Sequence, residues 1–92
     1  MKRRPAIALS NDLVSKATNM TIVAPISSTM RNFPTYLTLK STKEIHGKVM
    51  LDQTIALDLH AGKVTKDSII EKVSKEELTE IISIYKLLFS ID

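Results

Sequence analysis

The chain has 92 residues, of which 43% are hydrophobic and 25% are charged, as in one ordinary globular domain. It lacks cysteine, which excludes disulfides and thiolate metal sites, and its apolar runs are far shorter than a membrane span or a signal peptide needs. We therefore expect a cytoplasmic protein. Residues 1–50 carry eight Lys or Arg and two Asp or Glu, whereas residues 51–92 carry five and eight. The basic half favours a polyanionic or acidic partner, and solubility alone would explain it equally well.

Short β-like segments occupy most of the chain before residue 74. Five segments are rich in β-branched or alternating apolar residues and predict strands: Pro5–Leu9, Met20–Ile26, Thr35–Leu39, Lys48–Leu57 and Ser68–Val73. Polar residues predict a turn at Ser10–Asp12, and Leu13–Thr18 predicts an irregular segment or a single helical turn. Ser27–Asn32 is polar and contains Arg31, so it predicts a loop. Asp58–Lys66 contains a glycine and predicts a turn or a short helix.

The clearest local signal is a C-terminal amphipathic helix. Ser74 and Glu77 have the S-x-x-E spacing of a capping box. Apolar residues then recur at helical spacing in one stripe: Leu78, Ile81, Ile82, Tyr85, Leu88 and Phe89. We expect this stripe to pack on the sheet, with a groove for a partner as the alternative. The fold class is therefore mainly β (α+β): one domain over residues 1–92, with a small, strongly curved antiparallel sheet or partly open barrel.

Common catalytic motifs are absent from the sequence. It has no Gly-rich phosphate loop, no H-E-x-x-H motif and no nucleophile elbow. His46 and His60 do not have metal-ligand spacing. Asp52 and Asp58 would lie roughly 20 Å apart along one strand, too far to share a metal, so we interpret them as structural or capping groups. We expect neither a metal nor another cofactor.

Basic and aromatic residues suggest a surface that binds RNA. Arg3 and Arg4 follow Lys2 at the start of the chain, and guanidinium groups bind phosphate through two hydrogen bonds. Arg31, Lys40, Lys43 and Lys48 would extend this basic surface. Phe33 and Tyr36 would stack on unpaired bases. A solvated basic tail and core aromatics are the alternative interpretation.

Three stretches, in order, resemble signatures of the MazF/PemK family of toxin endoribonucleases. Arg3–Asp12 (RRPAIALSND) resembles the family's R-P motif, aliphatic run and polar-Asn-Asp turn. Thr21–Ser27 (TIVAPIS) resembles its apolar strand ending in I-T or I-S. Val49–Asp58 (VMLDQTIALD) resembles its apolar strand with a D/E-Q pair and an L-D end. Together with the closing helix, the resemblance covers essentially the whole chain.

The resemblance implies a fold, an activity and partners. The family has a small, strongly curved, barrel-like sheet, forms homodimers and cuts single-stranded RNA at short sequences without a metal. A cognate antitoxin holds its members inactive, and the toxin–antitoxin complex often binds operator DNA. The essential arginine and the essential threonine or serine of the family correspond to Arg4 and Ser27, which we expect to be catalytic. We expect Arg3, Arg31 and Gln53 to bind RNA.

These two residues suit the cleavage of RNA by its own 2′-hydroxyl. The enzyme must hold the phosphate in line and stabilise its developing charge. Arg4 would neutralise the non-bridging oxygens, and Ser27 would donate a hydrogen bond to the phosphate or to the leaving oxygen. Because the pKa of arginine exceeds about 12, we expect Arg4 to act electrostatically. The expected products are a 2′,3′-cyclic phosphate and a 5′-hydroxyl.

The sequence departs from the family pattern at three points. The family begins with a strand of the G-D-I/V-Y/W kind and a Gly-rich loop, whereas here three residues precede Arg4, so we expect that strand and loop to be lacking. Ile55 stands where the family usually has arginine, and Ser27 replaces the commoner threonine. Two alternatives stay open: a truncated, inactive protein that retains dimer and antitoxin binding, and a nucleic-acid-binding sheet module.

Overall fold

The computed structural model describes residues 5–59 and 71–89. Its elements, in chain order, are β1 (Ala6–Ala8), α1 (Asp12–Thr18), β2 (Met20–Ser27), β3 (Tyr36–Thr38), β4 (Lys48–Met50), a 3₁₀ turn (Leu51–Gln53), β5 (Ile55–Asp58) and α2 (Lys75–Leu87). Five antiparallel strands and two helices therefore form the described part of the chain. The predicted curved antiparallel sheet with a C-terminal amphipathic helix is confirmed, and the sheet is not closed.

Strand β2 is the centre of the sheet. Strands β1 and β5 flank β2 on opposite sides: Val23 pairs with Ala8 of β1 on one side and with Ile55 of β5 on the other. Further along, Ile26 pairs with Val49 of β4, and β4 in turn pairs with β3. The eight residues of β2 thus contribute to both halves of the sheet, and the strand ends at Ser27.

The single long strand predicted for Lys48–Leu57 is wrong. It is divided into β4 and β5 by the 3₁₀ turn at Leu51–Gln53. The turn lies opposite the part of β2 that holds Pro25, which has no amide hydrogen to give to a ladder. It also places Leu51 in the core, where the side chain is 1% exposed. The resulting burial favours the break over a continuous ladder.

The segment Leu13–Thr18 forms a longer helix than the single turn or irregular segment predicted. The side chain of Asn11 accepts hydrogen bonds from the amides of Leu13 and Val14, which caps the first turn. Asn19 ends the helix in the left-handed conformation, at φ 60°. The two asparagines therefore delimit α1, and the predicted turn at Ser10–Asp12 becomes its start.

One face of the sheet and α2 enclose the core. Its buried side chains are Ile7, Leu9, Ala24, Ile26, Leu39, Val49, Leu51 and Ile81. From α2, Ile81 is almost fully buried, and Leu78, Ile82, Ile84 and Tyr85 pack around it. The prediction that the stripe packs on the sheet is confirmed for this part. It is wrong for Leu88 and Phe89, whose side chains are 41% and 67% exposed.

Two further predictions fall wholly or partly outside the described residues. Residues 68–70 of the predicted strand Ser68–Val73 lie there, and residues 71–73 are not strand. Most of the predicted turn at Asp58–Lys66, including His60, also lies outside them. Within the described ranges, neither helix has the length and apolar character needed to cross a membrane.

Candidate active site and nucleic-acid interface

Ser27 stands at the end of β2, on the face of the sheet that points away from the core. It pairs directly with Lys48 of β4, and Lys48 pairs with Thr38 of β3. Directly opposed residues share a face, so these three side chains form a row across three strands. Their sequence neighbours Ile26, Val49 and Leu37 point into the core or pack against it. Ser27 is half-buried, and its Oγ accepts a hydrogen bond of 3.2 Å from the amide of Thr29.

Gly47 allows β4 to approach Ser27. A Cβ on Gly47 would lie 2.6 Å from the carbonyl oxygen of Ser27 and 3.0 Å from Cγ2 of Ile26. Its φ of +143° is also a conformation that residues with a side chain rarely adopt. Glycine at this position is therefore what brings Lys48 next to Ser27.

Lys48 fixes the loop that follows Ser27. Its Nζ donates hydrogen bonds of 2.6 Å to the carbonyl oxygen of Arg31 and to Oδ1 of Asn32. The loop is further ordered by the hydroxyl of Thr29, which accepts a hydrogen bond from the amide of Arg31. The backbone of Arg31 is thus held close to the Ser27–Lys48 pair, while the Arg31 side chain is exposed.

An aromatic pair continues this surface. The rings of Phe33 and Tyr36 are 5.1 Å apart in an edge-to-face arrangement, and Phe33 is 48% exposed. Tyr36 pairs with Met50, two positions along from the Thr38–Lys48 pair, and therefore lies on the same face of the sheet. Nε2 of Gln53 is 3.5 Å from the Tyr36 hydroxyl, at the outer limit of a hydrogen bond. A base could stack on the exposed ring of this pair.

The structure thus brings together three of the five residues predicted to be catalytic or to bind RNA. Ser27, Arg31 and Gln53 lie on one surface, linked through Lys48 and the Phe33–Tyr36 pair. Arg3 and Arg4 lie outside the described residues. The first described residue, Pro5, accepts a hydrogen bond of 3.0 Å at its carbonyl oxygen from the amide of Ile26, the residue before Ser27.

Two carboxylates hold the loop between β3 and β4. Glu71 accepts hydrogen bonds from the consecutive amides of Lys43, Glu44 and Ile45, and these bonds, that from Lys43 foremost, lower its pKa. Glu77 accepts from the amides of Lys40 and Ser41 and from the Ser41 hydroxyl. Desolvation raises the pKa of Glu77, but these hydrogen bonds outweigh it and leave the pKa lowered. Both carboxylates stabilise the loop that leads into Gly47 and Lys48.

Metal binding is not indicated for the described ranges, 5–59 and 71–89, because no three His, Asp or Glu side chains converge there. Asp52 lies in the 3₁₀ turn and Asp58 ends β5, so the two do not share a continuous strand.

The sequence identified Lys48 as one of several basic residues but not as the cation paired with Ser27. The pairing depends on the register between β2 and β4, which no local pattern shows. The role of Gly47 was also missed. An isolated glycine directly before a strand was the available signal, since glycine often marks a close backbone approach.

One comparison with known proteins gives the family of the chain. The family model described as PemK-like, MazF-like toxin of type II toxin–antitoxin system matches residues 1–89. A search of curated protein sequences gives no match.

The fold is shared with solved structures. The MazE–MazF structure from Deinococcus radiodurans (form II) aligns with a TM-score of 0.81 and 22% identity, covering 98% of this chain and 84% of that one. Mycobacterium tuberculosis toxin MazF-mt6 aligns with a TM-score of 0.76 and 19% identity, covering 99% and 90%. An endoribonuclease in complex with its cognate antitoxin, from a mycobacterial species, aligns at 0.72 and 17%, covering 97% and 82%. At these identities, the solved structures establish the fold alone.

Proposed function

Because the chain belongs to the PemK-like, MazF-like family of toxins of type II toxin–antitoxin systems, we propose that it is a sequence-specific endoribonuclease that cuts single-stranded RNA without a metal ion. The observation that carries this proposal is the surface around Ser27. There a half-buried hydroxyl stands beside a lysine, a loop bearing an exposed arginine and an exposed aromatic ring. Such a surface offers a phosphate a hydroxyl donor and positive charge, and it offers a base a stacking platform.

Arg4 is proposed as the electrostatic catalyst. It directly precedes Pro5, and the carbonyl of Pro5 is bonded to the amide next to Ser27. The RNA 2′-hydroxyl gives its proton to solvent as its oxygen attacks the adjacent phosphorus, the bond from phosphorus to the 5′-oxygen breaks, and the leaving oxygen takes up a proton from solvent. Arg4 stabilises the charge that develops on the non-bridging oxygens, and Ser27 donates a hydrogen bond to the phosphate or the leaving oxygen. The products are a 2′,3′-cyclic phosphate and a 5′-hydroxyl.

RNA binding is proposed for Arg3, Arg31 and Gln53. The structure supports the last two, because the Arg31 backbone is bonded to Lys48 and Gln53 lies beside Tyr36. Ile55, which replaces the family's usual arginine, is 57% exposed and pairs with Val23. It adds apolar surface where the family pattern has a cation, so we expect contacts near Gln53 to differ from the family's usual ones.

The proposed protein partners are a second copy of the chain and a cognate antitoxin. An apolar groove lies between β2 and the end of α2, lined by Leu9, Ile22, Ile82, Tyr85 and Phe89. Phe89 is 67% exposed there, and a small domain gains stability when a partner covers such a surface. The neighbouring solved structures include a MazE–MazF structure and an endoribonuclease in complex with its cognate antitoxin, which supports the antitoxin as a partner. Operator binding by the complex and a cytoplasmic location stay predictions.

The proposal is tested by incubating the purified chain with a long single-stranded RNA in EDTA, beside Arg4→Ala. Mapping the new 5′ ends should show discrete cuts at one recurring short sequence, each bearing a 5′-hydroxyl. The variant should cut at least a hundredfold more slowly, the effect of losing one charge-stabilising group. Lys16→Met, which removes a positive charge from α1, serves as the control and should cut normally.

Three results would oppose the proposal in different ways. Intact RNA from a folded wild-type chain would contradict nuclease activity and favour an inactive family member. Equal cutting by Arg4→Ala would contradict the role of Arg4 alone. Cutting that requires added Mg²⁺ would contradict the metal-independent mechanism.

A further inference from the structure

We propose that Lys48 binds the RNA phosphate that lies at Ser27, and that the loop after Ser27 aims its ammonium group at this position. This inference rests on the proposed function, because it assigns a ligand to the same surface. It adds to that function a second cation, supplied by the middle of the sheet and independent of the arginines near the start of the chain.

The first step in the argument is position. Lys48 and Ser27 are directly opposed on neighbouring strands, and the Cβ atoms of such pairs are roughly 5 Å apart. Their side chains share the face that points away from the core. Gly47 makes this approach possible, since any larger residue would collide with the Ser27 carbonyl. A phosphate that accepts a hydrogen bond from Ser27 would therefore lie within reach of the Lys48 side chain.

The second step concerns the hydrogen bonds of the ammonium group. Nζ donates to a backbone carbonyl and to an amide oxygen, both 2.6 Å away. These two acceptors are neutral, so they orient the ammonium group without cancelling its charge. An ammonium group has three donors, and these bonds use two of them. The remaining donor and the positive charge suit a phosphate oxygen.

The third step separates this role from a purely structural one. Lys48 would also be retained if it only held the loop of Arg31 and Asn32 in place. A lysine that contacts phosphate releases counterions when nucleic acid binds, whereas one that only holds a loop does not. The dependence of affinity on salt therefore distinguishes the two roles.

The experiment measures binding of a fluorescent, mixed-sequence single-stranded oligodeoxynucleotide, which has no 2′-hydroxyl and cannot be cut. Dissociation constants are measured at several salt concentrations for the wild type and Lys48→Met. Loss of one phosphate contact should weaken binding and reduce the slope of log affinity against log salt by about 0.7. Lys48→Arg should keep the slope, and so should the control Lys16→Met, whose lysine lies on α1.

Asn32→Ala removes one acceptor of Lys48 and leaves the charge. It should retain the full slope, whereas Lys48→Gln, which keeps an amide donor for the loop but loses the charge, should reduce the slope and tests the proposal even if Lys48→Met does not fold. Weaker binding by Lys48→Met with an unchanged slope would overturn the phosphate contact, as would a wild-type chain that does not bind the oligonucleotide. A reduced slope in Lys48→Met, together with a wild type that leaves RNA intact, would support the contact and reject only the nuclease reaction.

Discussion

The backbone of Gly47 lies so close to that of Ser27 that no side chain fits between them. A Cβ on Gly47 would stand 2.6 Å from the Ser27 carbonyl oxygen, and that oxygen belongs to the backbone and cannot rotate away. The contact joins the end of β2 to the start of β4, and it thereby sets the position of Lys48 beside Ser27.

Gly47→Ala should therefore destabilise the fold and disturb the site together. Backbone strain at its φ of +143° alone costs about 1–3 kcal/mol, and the steric clash adds to it. Urea unfolding should show the loss, and RNA cleavage should fall even where the variant is still folded. Ser28→Ala, at an exposed position next to Ser27, should change stability by less than about 0.5 kcal/mol. Wild-type stability in Gly47→Ala would show that β4 can shift away at no cost.

Ser27→Ala and Ser27→Thr separate the hydroxyl from the rest of the side chain. Ala removes the group proposed to bind the phosphate, and we expect cleavage to fall by about tenfold or more, as for a lost hydrogen bond to a charged group. Thr keeps the hydroxyl, is the commoner residue of the family at this position and suits a strand. Ser27→Thr should therefore cut RNA within a few-fold of the wild type. Single-turnover cleavage rates measure both, and equal rates for Ala and wild type would exclude Ser27 from the reaction.

Phe33→Ala should weaken RNA binding because Phe33 is the more exposed ring of the aromatic pair. Stacking on an aromatic side chain contributes about 1–3 kcal/mol per base, or roughly 5- to 150-fold in affinity. Fluorescence anisotropy with a labelled single-stranded oligonucleotide measures the change. Leu13→Ala removes an exposed apolar side chain from α1 and should bind as the wild type does. If the two variants bind equally well, bases do not stack on Phe33.

Ile81→Ala tests the contact between α2 and the sheet. The side chain is 2% exposed within the core, and its truncation should cost about 2–5 kcal/mol in the free energy of unfolding. The matched control on the same helix is Leu87→Ala, at 67% exposure, which should change stability by no more than about 0.5 kcal/mol. Chemical denaturation measures both variants. Similar losses in the two would mean that α2 does not cover the core as described.

Acid should release the loop between β3 and β4. The pKa values of Glu71 and Glu77 are lowered in the folded chain, so their contribution is complete above the usual glutamate pKa of about 4.3. It is lost as the pH falls through the lower, folded values. The wild type should therefore lose more stability between about pH 7 and pH 3 than Glu77→Gln does. Glu76→Gln, at an exposed neighbouring position, is the charge-matched control.

The free energy of unfolding, measured across this pH range for the wild type and both variants, tests this prediction. If Glu77→Gln and Glu76→Gln have the same pH dependence, the hydrogen bonds from Lys40 and Ser41 do not stabilise the ionised form of Glu77.

At the start of α2, the capping-box motif predicts one of its two hydrogen bonds correctly. The capping box correctly predicts that Ser74 begins the helix, and its hydroxyl accepts from the Glu77 amide. The motif also implies that the Glu77 carboxylate accepts a hydrogen bond from the Ser74 amide. Instead, the Ser74 amide donates to the Ser41 hydroxyl, and this hydroxyl donates to the Glu77 carboxylate. Ser41 is distant in sequence, so a pattern within one helix cannot predict its insertion. The tertiary contact therefore links the capped start of α2 to the loop between β3 and β4.

The sequence by itself determined the features that depend on neighbouring residues. The apolar strand Met20–Ile26, the N-terminus of α2 and three ordered signatures of the family all follow from side chains close together in the chain. Local burial patterns and capping hydrogen bonds act over a few residues, and these elements need nothing more.

Only the tertiary structure decided which elements meet at Ser27. Three features depend on residues far apart in sequence. They are the break between β4 and β5, the register that pairs Ser27 with Lys48, and the hydrogen bond from Lys48 to the loop that follows Ser27. Their arrangement follows from the burial of Leu51, the missing amide hydrogen of Pro25 and the space left by Gly47, which act only after the chain has packed.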